Sequence, residues 1–193
     1  STGKTLATSA QVDTVTINPQ KIKASSDEAT VALKEKVAHG LSDIFKLSLN
    51  DGDRLISIKN QLTLAESYMN VMNMRYQNRF TLEIDVSDEI MEYKILTFLI
   101  QPIIENAVTH GLENKIGNGR VTIVGYKDEE DIRVIINDNG IGIKDVAAIE
   151  NGYGIKNVRE RIALYYGKEY DVSFESEPEI GTTVFFRFPA DKG

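Results

Sequence analysis

A carboxylate, a side-chain amide and an imidazole lie close together in one stretch of this chain, at Glu105, Asn106 and His110. The apolar residues around them recur at steps of three and four: Leu96, Leu99, Ile100, Ile103 and Ala107. This spacing predicts an amphipathic helix with one face committed to a core. Polar groups are costly to bury without partners. Two interpretations follow: a solvated helix edge with His110 as a C-terminal cation, or a site that uses all three groups.

A second set of chemically useful residues lies further along the chain. Asp138 ends a predicted strand, and a carboxylate there can accept a hydrogen bond from an exocyclic amine at the back of a pocket; the alternative is an ordinary Asp-Asn-Gly turn. Gly140 and Gly142 have no side chains, which lets backbone approach a ligand closely. Gly152 and Gly154 precede a predicted helix, whose N-terminal amides favour phosphate.

Four stretches therefore stand in a fixed order: QPIIENAVTHG, DNGIG, GYGIKN and GTT. In this order the chain resembles the ATP-binding domain shared by gyrase, heat-shock chaperone ATPases, mismatch-repair ATPases and sensor histidine kinases. It is most similar to sensor histidine kinases of the autolysin-sensor type, from about Leu41 to Pro189. Four motifs in order are far more specific than one glycine motif.

The resemblance implies a role for each candidate residue. It implies that ATP binds with Mg²⁺ on Asn106 and with adenine on Asp138, beside Gly140, Gly142, Gly152 and Gly154. Glu105 would polarise the attacking group or accept its proton, and His110 would lie near the phosphates. Thr183 would reach the adenine pocket through water, although a threonine there is also an ordinary strand former.

The elements that position these residues predict an α/β fold. Apolar and polar residues alternate from Phe80 to Val86, and two further strands, 120–126 and 132–137, form a hairpin. A helix over 155–166 and a strand pair at 171–175 and 183–188 complete a Bergerat-type, two-layer sandwich. It has a mixed sheet with helices on one face. We expect Pro102 to bend or loosen the helical turn before Glu105, and Arg159, Glu160 and Arg161 to face water.

Three regions are predicted along the chain: a loosely ordered lead-in at 1–25, a helical region at 26–78 and the catalytic domain at 79–190. One helix starts at the N-cap Ser26, and a second runs over 57–76. Two antiparallel helices cannot bury both apolar stripes alone. We therefore expect them to dock on the next domain, to pair with a second copy, or both; the resemblance implies a homodimer.

The position of a phosphoacceptor histidine is the weak point of the resemblance. Gln20 follows Ile17-Asn18-Pro19, where the family motif has histidine, and an amide nitrogen is not a usable nucleophile. The tetrapeptide is also consistent with a chance match in a linker. His39 is the other candidate acceptor, with an ordinary solvated histidine as its default interpretation.

Composition excludes some classes of protein. The chain has no cysteine, so disulfides and thiolate metal sites are excluded, and its net charge of -7 argues against a nucleic-acid surface. It contains no apolar run of membrane-spanning length and no signal-peptide pattern. The resemblance implies a cytoplasmic domain, tethered to a membrane only through segments absent from this chain, and a response regulator as partner.

The leading interpretation is the dimerisation and catalytic portion of a sensor histidine kinase, which transfers the ATP γ-phosphoryl group to a histidine for relay to a response regulator. The alternative is a nucleotide-gated interaction module that binds ATP without autophosphorylation, which the residue at Gln20 favours. An ATPase of the gyrase or chaperone type is a third interpretation, but those enzymes bring a longer lid and further domains.

Overall fold

The structure is a computed structural model that describes residues 55–143 and 153–190, except for the side chains of residues 153 and 154. Several sequence predictions lie outside these residues: the helix that starts at Ser26, the motif that ends at Gln20, the candidate acceptor His39 and the phosphate-binding Gly152.

The described residues form seven strands and three helices, with one short 3-10 turn. In chain order these are β1 (Leu55–Ser57), α1 (Ile58–Arg75), β2 (Phe80–Val86), the 3-10 turn (Asp88–Ile90), β3 (Lys94–Leu96), α2 (Gln101–Asn106) with a π-helical continuation (Ala107–Leu112), β4 (Gly119–Asp128), β5 (Asp131–Asp138), α3 (Tyr153–Tyr166), β6 (Val172–Glu177) and β7 (Gly181–Pro189).

Five strands form a mixed sheet in the order β2-β4-β5-β7-β6. Only β2 and β4 run parallel, and the other neighbours are antiparallel. Alternate residues of each strand enter one core cluster together with apolar residues of all three helices, among them Leu62, Ile104 and Ile162. The predicted fold class, a two-layer sandwich with helices on one face of a mixed sheet, is confirmed.

Helix α1 belongs to the same core as the sheet. Its buried residues Ile58, Leu62, Ala65, Met69 and Met72 are part of the core cluster that contains the strands. Its first amides are also satisfied from outside the helix, because the amides of Ile58 and Lys59 donate to the carbonyls of Tyr93 and Met91. The predicted docking of this helix on the catalytic domain is therefore observed, and no break in the core separates residues 58–75 from the rest.

Gln61 connects α1 to the start of α2. Its side chain is buried at 2% exposure, and its amide Nε2 donates to the carbonyl of Leu96 at 2.7 Å. Its Oε1 accepts from the amides of Leu99 and Ile100, both at 3.2 Å. The helix has no side-chain cap of its own. Gln61 thus satisfies amides that precede the helix and that would otherwise be buried unpaired.

Replacement of Gln61 by Met, which has a similar shape and no amide, is expected to lower the free energy of unfolding by about 2 kcal/mol, because two amides and a carbonyl lose their partner. Urea unfolding followed by circular dichroism measures this change. Thr63→Met on the exposed side of the same helix is the control. A loss for Gln61→Met no larger than for Thr63→Met would contradict this account.

The helix that carries Glu105 and Asn106 starts later than predicted. Leu96 belongs to β3, where it pairs with Leu55, and helical structure begins at Gln101. Pro102 therefore stands in the first turn, where its missing amide costs no hydrogen bond, and the predicted bend at this residue is wrong. The apolar spacing was misleading because Leu96, Leu99 and Ile100 are buried although they lie outside the helix, in β3 and in the turn before α2.

Two of the three residues expected to face water from α3 do not. Arg161 is half-buried and donates to the carbonyls of Thr97 at 2.6 Å and Phe98 at 3.3 Å. Arg159 donates to the Asp171 carboxylate and to a neighbouring carbonyl of β6. Glu160 is exposed as predicted. A helical stripe identifies apolar contacts, but a long arginine side chain can still reach back to carbonyl groups of the protein.

Candidate functional site

The site centres on a buried carboxylate at the end of β5. Asp138 is 6% exposed, and its Oδ1 accepts a hydrogen bond from the amide of Gly140 at 2.8 Å. Burial raises the pKa of Asp138 to about 6, and hydrogen bonds from the amides of Gly140 and Thr182 and the charge of Lys115 oppose this rise. A carboxyl group is thus held at the bottom of the site as a hydrogen-bond acceptor.

The π-helical segment packs directly on this carboxylate. A Cβ at Gly111 would lie 3.0 Å from Asp138 Oδ1, and a Cβ at Gly140 would lie 2.6 Å from the backbone of Gly111. The amide of Ile141 donates to the carbonyl of Gly111 at 3.0 Å. The turn and the helical segment therefore meet backbone to backbone at Gly140, where only glycine fits without a shift, and the space at Gly111 is tight.

Asn106 is the last residue of α2 before the π-helical segment Ala107–Leu112. The hydrogen bonds of a π-helix span five residues instead of four, and such segments are frequent at functional sites. The π-helical segment that follows Asn106 carries Gly111, which packs on Asp138. The motif that contains Asn106 and the motif that contains Asp138 are thus in contact through Gly111 and Gly140.

The Asn106 side chain is half-buried, and none of the described hydrogen bonds uses it. Its amide oxygen therefore remains available as an acceptor. Oxygen donors suit Mg²⁺, which typically takes one or two protein ligands and completes its shell with phosphate oxygens and water. Within the described ranges, no three His, Asp or Glu side chains cluster as a metal site. The donor set fits a magnesium ion that a nucleotide brings with it.

Glu105 lies on the side of the helix that faces α1. Its Oε1 accepts a hydrogen bond from Gln101 Nε2 at 3.0 Å, and its charge helps to raise the pKa of Tyr68 on α1 to about 12, after the larger effect of burial. The Tyr68 hydroxyl is hydrogen-bonded to Thr109. The Glu105 carboxylate is exposed and yet oriented by Gln101, and His110 is exposed one turn further along.

The sequence predicts that Thr183 belongs to the site, whereas the threonine beside Asp138 in the structure is Thr182. Thr182 pairs with Asp138, and the two side chains share the core face of the sheet. Thr183 pairs with Asn137 on the opposite face, where Asn137 Nδ2 donates to its hydroxyl at 2.7 Å. A shift of one residue in strand register reverses the face of every side chain. We therefore move the predicted contact with a nucleotide from Thr183 to Thr182.

Gly142 and the residues around it are fixed to the turn between β6 and β7. A Cβ at Gly142 would lie 2.0 Å from the carbonyl oxygen of Glu177. This contact with the protein's own backbone requires glycine at position 142. Ser176 accepts from the amide of Ile143 at 3.0 Å and donates to the carbonyl of Gly181 at 3.0 Å. Contact of Gly140 and Gly142 with a nucleotide stays a prediction.

The start of α3 is the remaining predicted part of the site. The helix begins at Tyr153, so Gly154 lies in its first turn and Gly152 is outside the described residues. The helix is fourteen residues long, and the amides of its first turn lack partners within the helix. Phosphate binding at this position stays a prediction.

Sequence reasoning missed Ser176 and Lys115, and of the two neighbouring threonines it selected Thr183 instead of Thr182. Lys115 follows the π-helical segment, and its ammonium group donates to the carbonyl of Asn139 beside Asp138. Nothing in its local sequence distinguishes it from a solvated loop lysine. Chemically, the assembled groups offer a buried acceptor for an amine, a free amide oxygen for a metal and an oriented carboxylate.

Comparison with known protein families identifies a match over the second half of the chain. Residues 91–192, more than half of the chain, match the family described as Histidine kinase-, DNA gyrase B-, and HSP90-like ATPase. This span contains all the site residues described above.

Several curated relatives are sensor proteins. The chain is 25% identical to the sensor histidine kinase BtsS of Escherichia coli over 168 residues. This alignment covers 87% of this chain and 29% of BtsS. It is 29% identical over 180 residues to the sensor protein LytS of Streptococcus agalactiae, covering 87% of this chain and 30% of LytS. The chain thus spans less than a third of these relatives.

Solved structures share the fold. The histidine kinase domain of a blue-light-activated kinase from Erythrobacter litoralis aligns with a TM-score of 0.55 at 14% identity, covering 81% of this chain and 74% of that one. Histidine kinase ThkA, in a crystal structure with the response regulator protein TrrA, aligns with a TM-score of 0.52 at 13% identity, covering 92% of this chain and 54% of ThkA.

Proposed function

Because the chain belongs to the family of histidine kinase-, DNA gyrase B- and HSP90-like ATPases, we propose that it is the catalytic portion of a sensor histidine kinase, which transfers the γ-phosphoryl group of ATP to a histidine. One observation carries the proposal: the buried Asp138 carboxylate is packed against the helical segment that continues from Glu105 and Asn106. The relatives BtsS and LytS are named as sensor proteins, which supports the proposal.

In this proposal Asp138 accepts a hydrogen bond from the exocyclic amine of adenine, and Thr182 lies beside it on the same face. The amides at the start of α3 bind phosphate oxygens. Asn106 supplies an amide oxygen to Mg²⁺, which neutralises phosphate charge when it is bound. His110, exposed on the same helical segment, contributes a further hydrogen-bonding group near the phosphates.

Glu105 takes the proton in the transfer step. A bond forms between an imidazole nitrogen of the acceptor histidine and the γ-phosphorus, and the bond from that phosphorus to the bridging oxygen of ADP breaks. The imidazole proton passes to the Glu105 carboxylate, which Gln101 holds in place. ADP leaves with the electron pair of the broken bond. Positioning and charge neutralisation dominate such reactions.

The same family relationship supports the remaining parts of the proposal. A response regulator is the proposed acceptor of the phosphoryl group from histidine, since ThkA was crystallised with one. We also propose a homodimer through the helical region and a membrane anchor in segments absent from this chain. No described helix is both long and apolar enough to cross a bilayer.

Incubation with γ-labelled ATP and magnesium tests the kinase proposal. The chain has two histidines, His39 and His110, so acid-labile, base-stable label on the protein points to one of them. Label that disappears in His39→Ala would identify a self-contained kinase. Tight ATP binding without label would mean that the acceptor lies elsewhere, or that the chain is a nucleotide-gated interaction module. Release of inorganic phosphate without labelled protein would contradict the proposal and favour a plain ATPase.

Asn106→Asp is expected to lower phosphoryl transfer at least about tenfold, because a charged ligand changes the magnesium geometry and repels the phosphates. ATP binding without magnesium should change much less. Asn118→Asp, in the exposed loop before β4, adds the same charge as a control. Equal transfer rates for wild type and Asn106→Asp at saturating MgATP would exclude Asn106 as the metal ligand.

A further inference from the structure

The loop between the π-helical segment and β4 is fastened to the protein by Arg79. Its guanidinium donates to the carbonyls of Leu112 at 3.5 Å, Lys115 at 2.6 Å and Gly117 at 3.4 Å. The amide of Lys115 also donates to the carbonyl of Leu112 at 3.1 Å. Three carbonyls held by one side chain fix the path of the loop, so the backbone that carries Lys115 has a defined position.

From this position Lys115 reaches the turn that follows Asp138. The Lys115 side chain is half-buried, and its ammonium donates to the carbonyl of Asn139. The same turn is held from its other side, because Asn139 Oδ1 accepts from the amide of Arg120 at 2.8 Å. Lys115 thus joins the loop to the residue next to the buried carboxylate.

Lys115 is also the charge that acts on Asp138. The elements packed around the carboxylate contribute Gly111 from the helical segment, Gly140 from the turn and Thr182 from β7, and none of these side chains is charged. Lys115 is the one charged group among the described residues that lowers the pKa of Asp138, against the larger effect of burial. A buried carboxylate without a nearby cation is protonated at higher pH.

We propose that Lys115 is a specificity-determining residue of the nucleotide site: it holds the Asn139–Gly140 turn and brings a positive charge near the Asp138 carboxylate, so that the site selects adenine over guanine. The inference rests on the proposed function, in which Asp138 binds the base. An anionic carboxylate accepts from the amino group of adenine and repels the carbonyl oxygen that guanine carries at the same position. A protonated carboxyl group can donate to that oxygen, so selectivity depends on the charge of Asp138.

The test is the dissociation constant of ATP and of GTP, measured by calorimetry between pH 5 and 8.5 for the wild type, Lys115→Met and Lys115→Arg. In the wild type we expect ATP affinity and the preference over GTP to fall as the pH drops through about 6, where Asp138 takes up a proton. In Lys115→Met the fall should begin at higher pH, since the positive charge that lowers the pKa of Asp138 is lost. At the wild-type midpoint, a rise of about one pH unit in the midpoint of Lys115→Met would weaken ATP binding about fivefold.

Lys115→Arg keeps the charge and should retain the wild-type profile. Lys127→Met removes the same charge from the exposed end of β4 and should leave both constants unchanged. Coincident profiles for the wild type and Lys115→Met would overturn the inference. A uniform loss of affinity at all pH values, with the ATP preference intact, would also overturn it and leave Lys115 with a merely structural role.

A measurement without nucleotide separates this inference from the proposed function. The carboxyl carbon of Asp138, followed by NMR in the unliganded protein, should titrate at higher pH in Lys115→Met than in the wild type. If the wild type failed to bind ATP but this shift were present, the proposed function would fail and the electrostatic role of Lys115 would stand. If ATP bound to the wild type and the shift were absent, the inference about Lys115 alone would fail.

Discussion

Asp138→Asn is expected to weaken ATP binding by about 10- to 100-fold and, at the same time, to stabilise the unliganded protein at neutral pH. The loss of affinity follows because a hydrogen bond to a charged group is worth about 1.5–3 kcal/mol, and each 1.4 kcal/mol is about tenfold in affinity. The gain in stability follows because a buried side chain that has no charge to desolvate no longer opposes folding.

The pH dependence of this gain has a definite sign. Burial raises the pKa of Asp138 from 3.8 to about 6. Between these values the folded protein binds a proton that the unfolded chain does not, so the contribution of Asp138 to stability falls as the pH rises through this window. Above pH 6 the loss of unfolding free energy caused by the buried, ionised carboxylate reaches its full value, about 3 kcal/mol for a pKa raised by roughly two. The Asp138→Asn variant would recover only part of it, because the Nδ2 of the introduced amide cannot accept from the amides that now donate to the carboxylate.

Calorimetry with ATP tests the predicted loss of affinity. Urea unfolding at pH 4, 5, 6 and 7.5 tests the predicted gain in stability. The stability difference between Asp138→Asn and the wild type should grow from pH 4 to pH 7.5. Asp85→Asn, on an exposed position of β2, removes the same charge and should change neither the ATP affinity nor the stability. Unchanged ATP affinity would remove Asp138 from the adenine site, and a variant less stable than the wild type at every pH would contradict the cost of burial.

Gly140→Ala is expected to lower the free energy of unfolding by about 3 kcal/mol and to weaken ATP binding. The added Cβ would lie 2.6 Å from the Cα and carbonyl carbon of Gly111 and 2.6 Å from Asp138 Oδ1. The obstructing atoms include backbone, which cannot rotate away as a side chain can, so the turn must separate from the helical segment. That movement displaces the site at the point where its two halves meet.

Gly117→Ala is the control for Gly140→Ala. Gly117 has a φ of +92° but nothing within 4 Å of an added Cβ, so its replacement measures backbone strain without a steric clash, at roughly 1 kcal/mol. Thermal unfolding and urea unfolding of both variants give the comparison. Equal losses in the two variants would mean that contact between Gly140 and Gly111 does not hold the helix and the turn together.

The elements of the fold were largely predictable because their signals are local. The alternation from Phe80 to Val86 predicted β2 to the residue, and the apolar spacing over 57–76 predicted α1 to within one residue at each end. Gly167, with a φ of +110°, follows α3 as predicted. Periodicity succeeds here because one face of each element is buried by the sheet or by the helices.

The predictions that failed concern residues whose surroundings depend on distant parts of the chain. Leu96, Leu99 and Ile100 fit a helical stripe, yet tertiary packing buries them in β3 and in the turn before α2. The sequence predicts that Arg161 is a solvated cation. In the folded protein it donates to the carbonyls of Thr97 and Phe98, which lie more than sixty residues earlier in the chain. Local spacing predicts that a side chain is buried, but it does not identify the distant group that buries it.

The sequence by itself determined which chemical groups are present, their order in four motifs and the periodic elements that carry them. Only the tertiary structure decided that Thr182 and not Thr183 lies beside Asp138, because strand register is set by the pairing of β5 with β7. The tertiary structure alone also brought Lys115 to the turn after Asp138 and Gln61 to the start of α2. These contacts join residues more than twenty positions apart, and such contacts depend on how the whole chain packs.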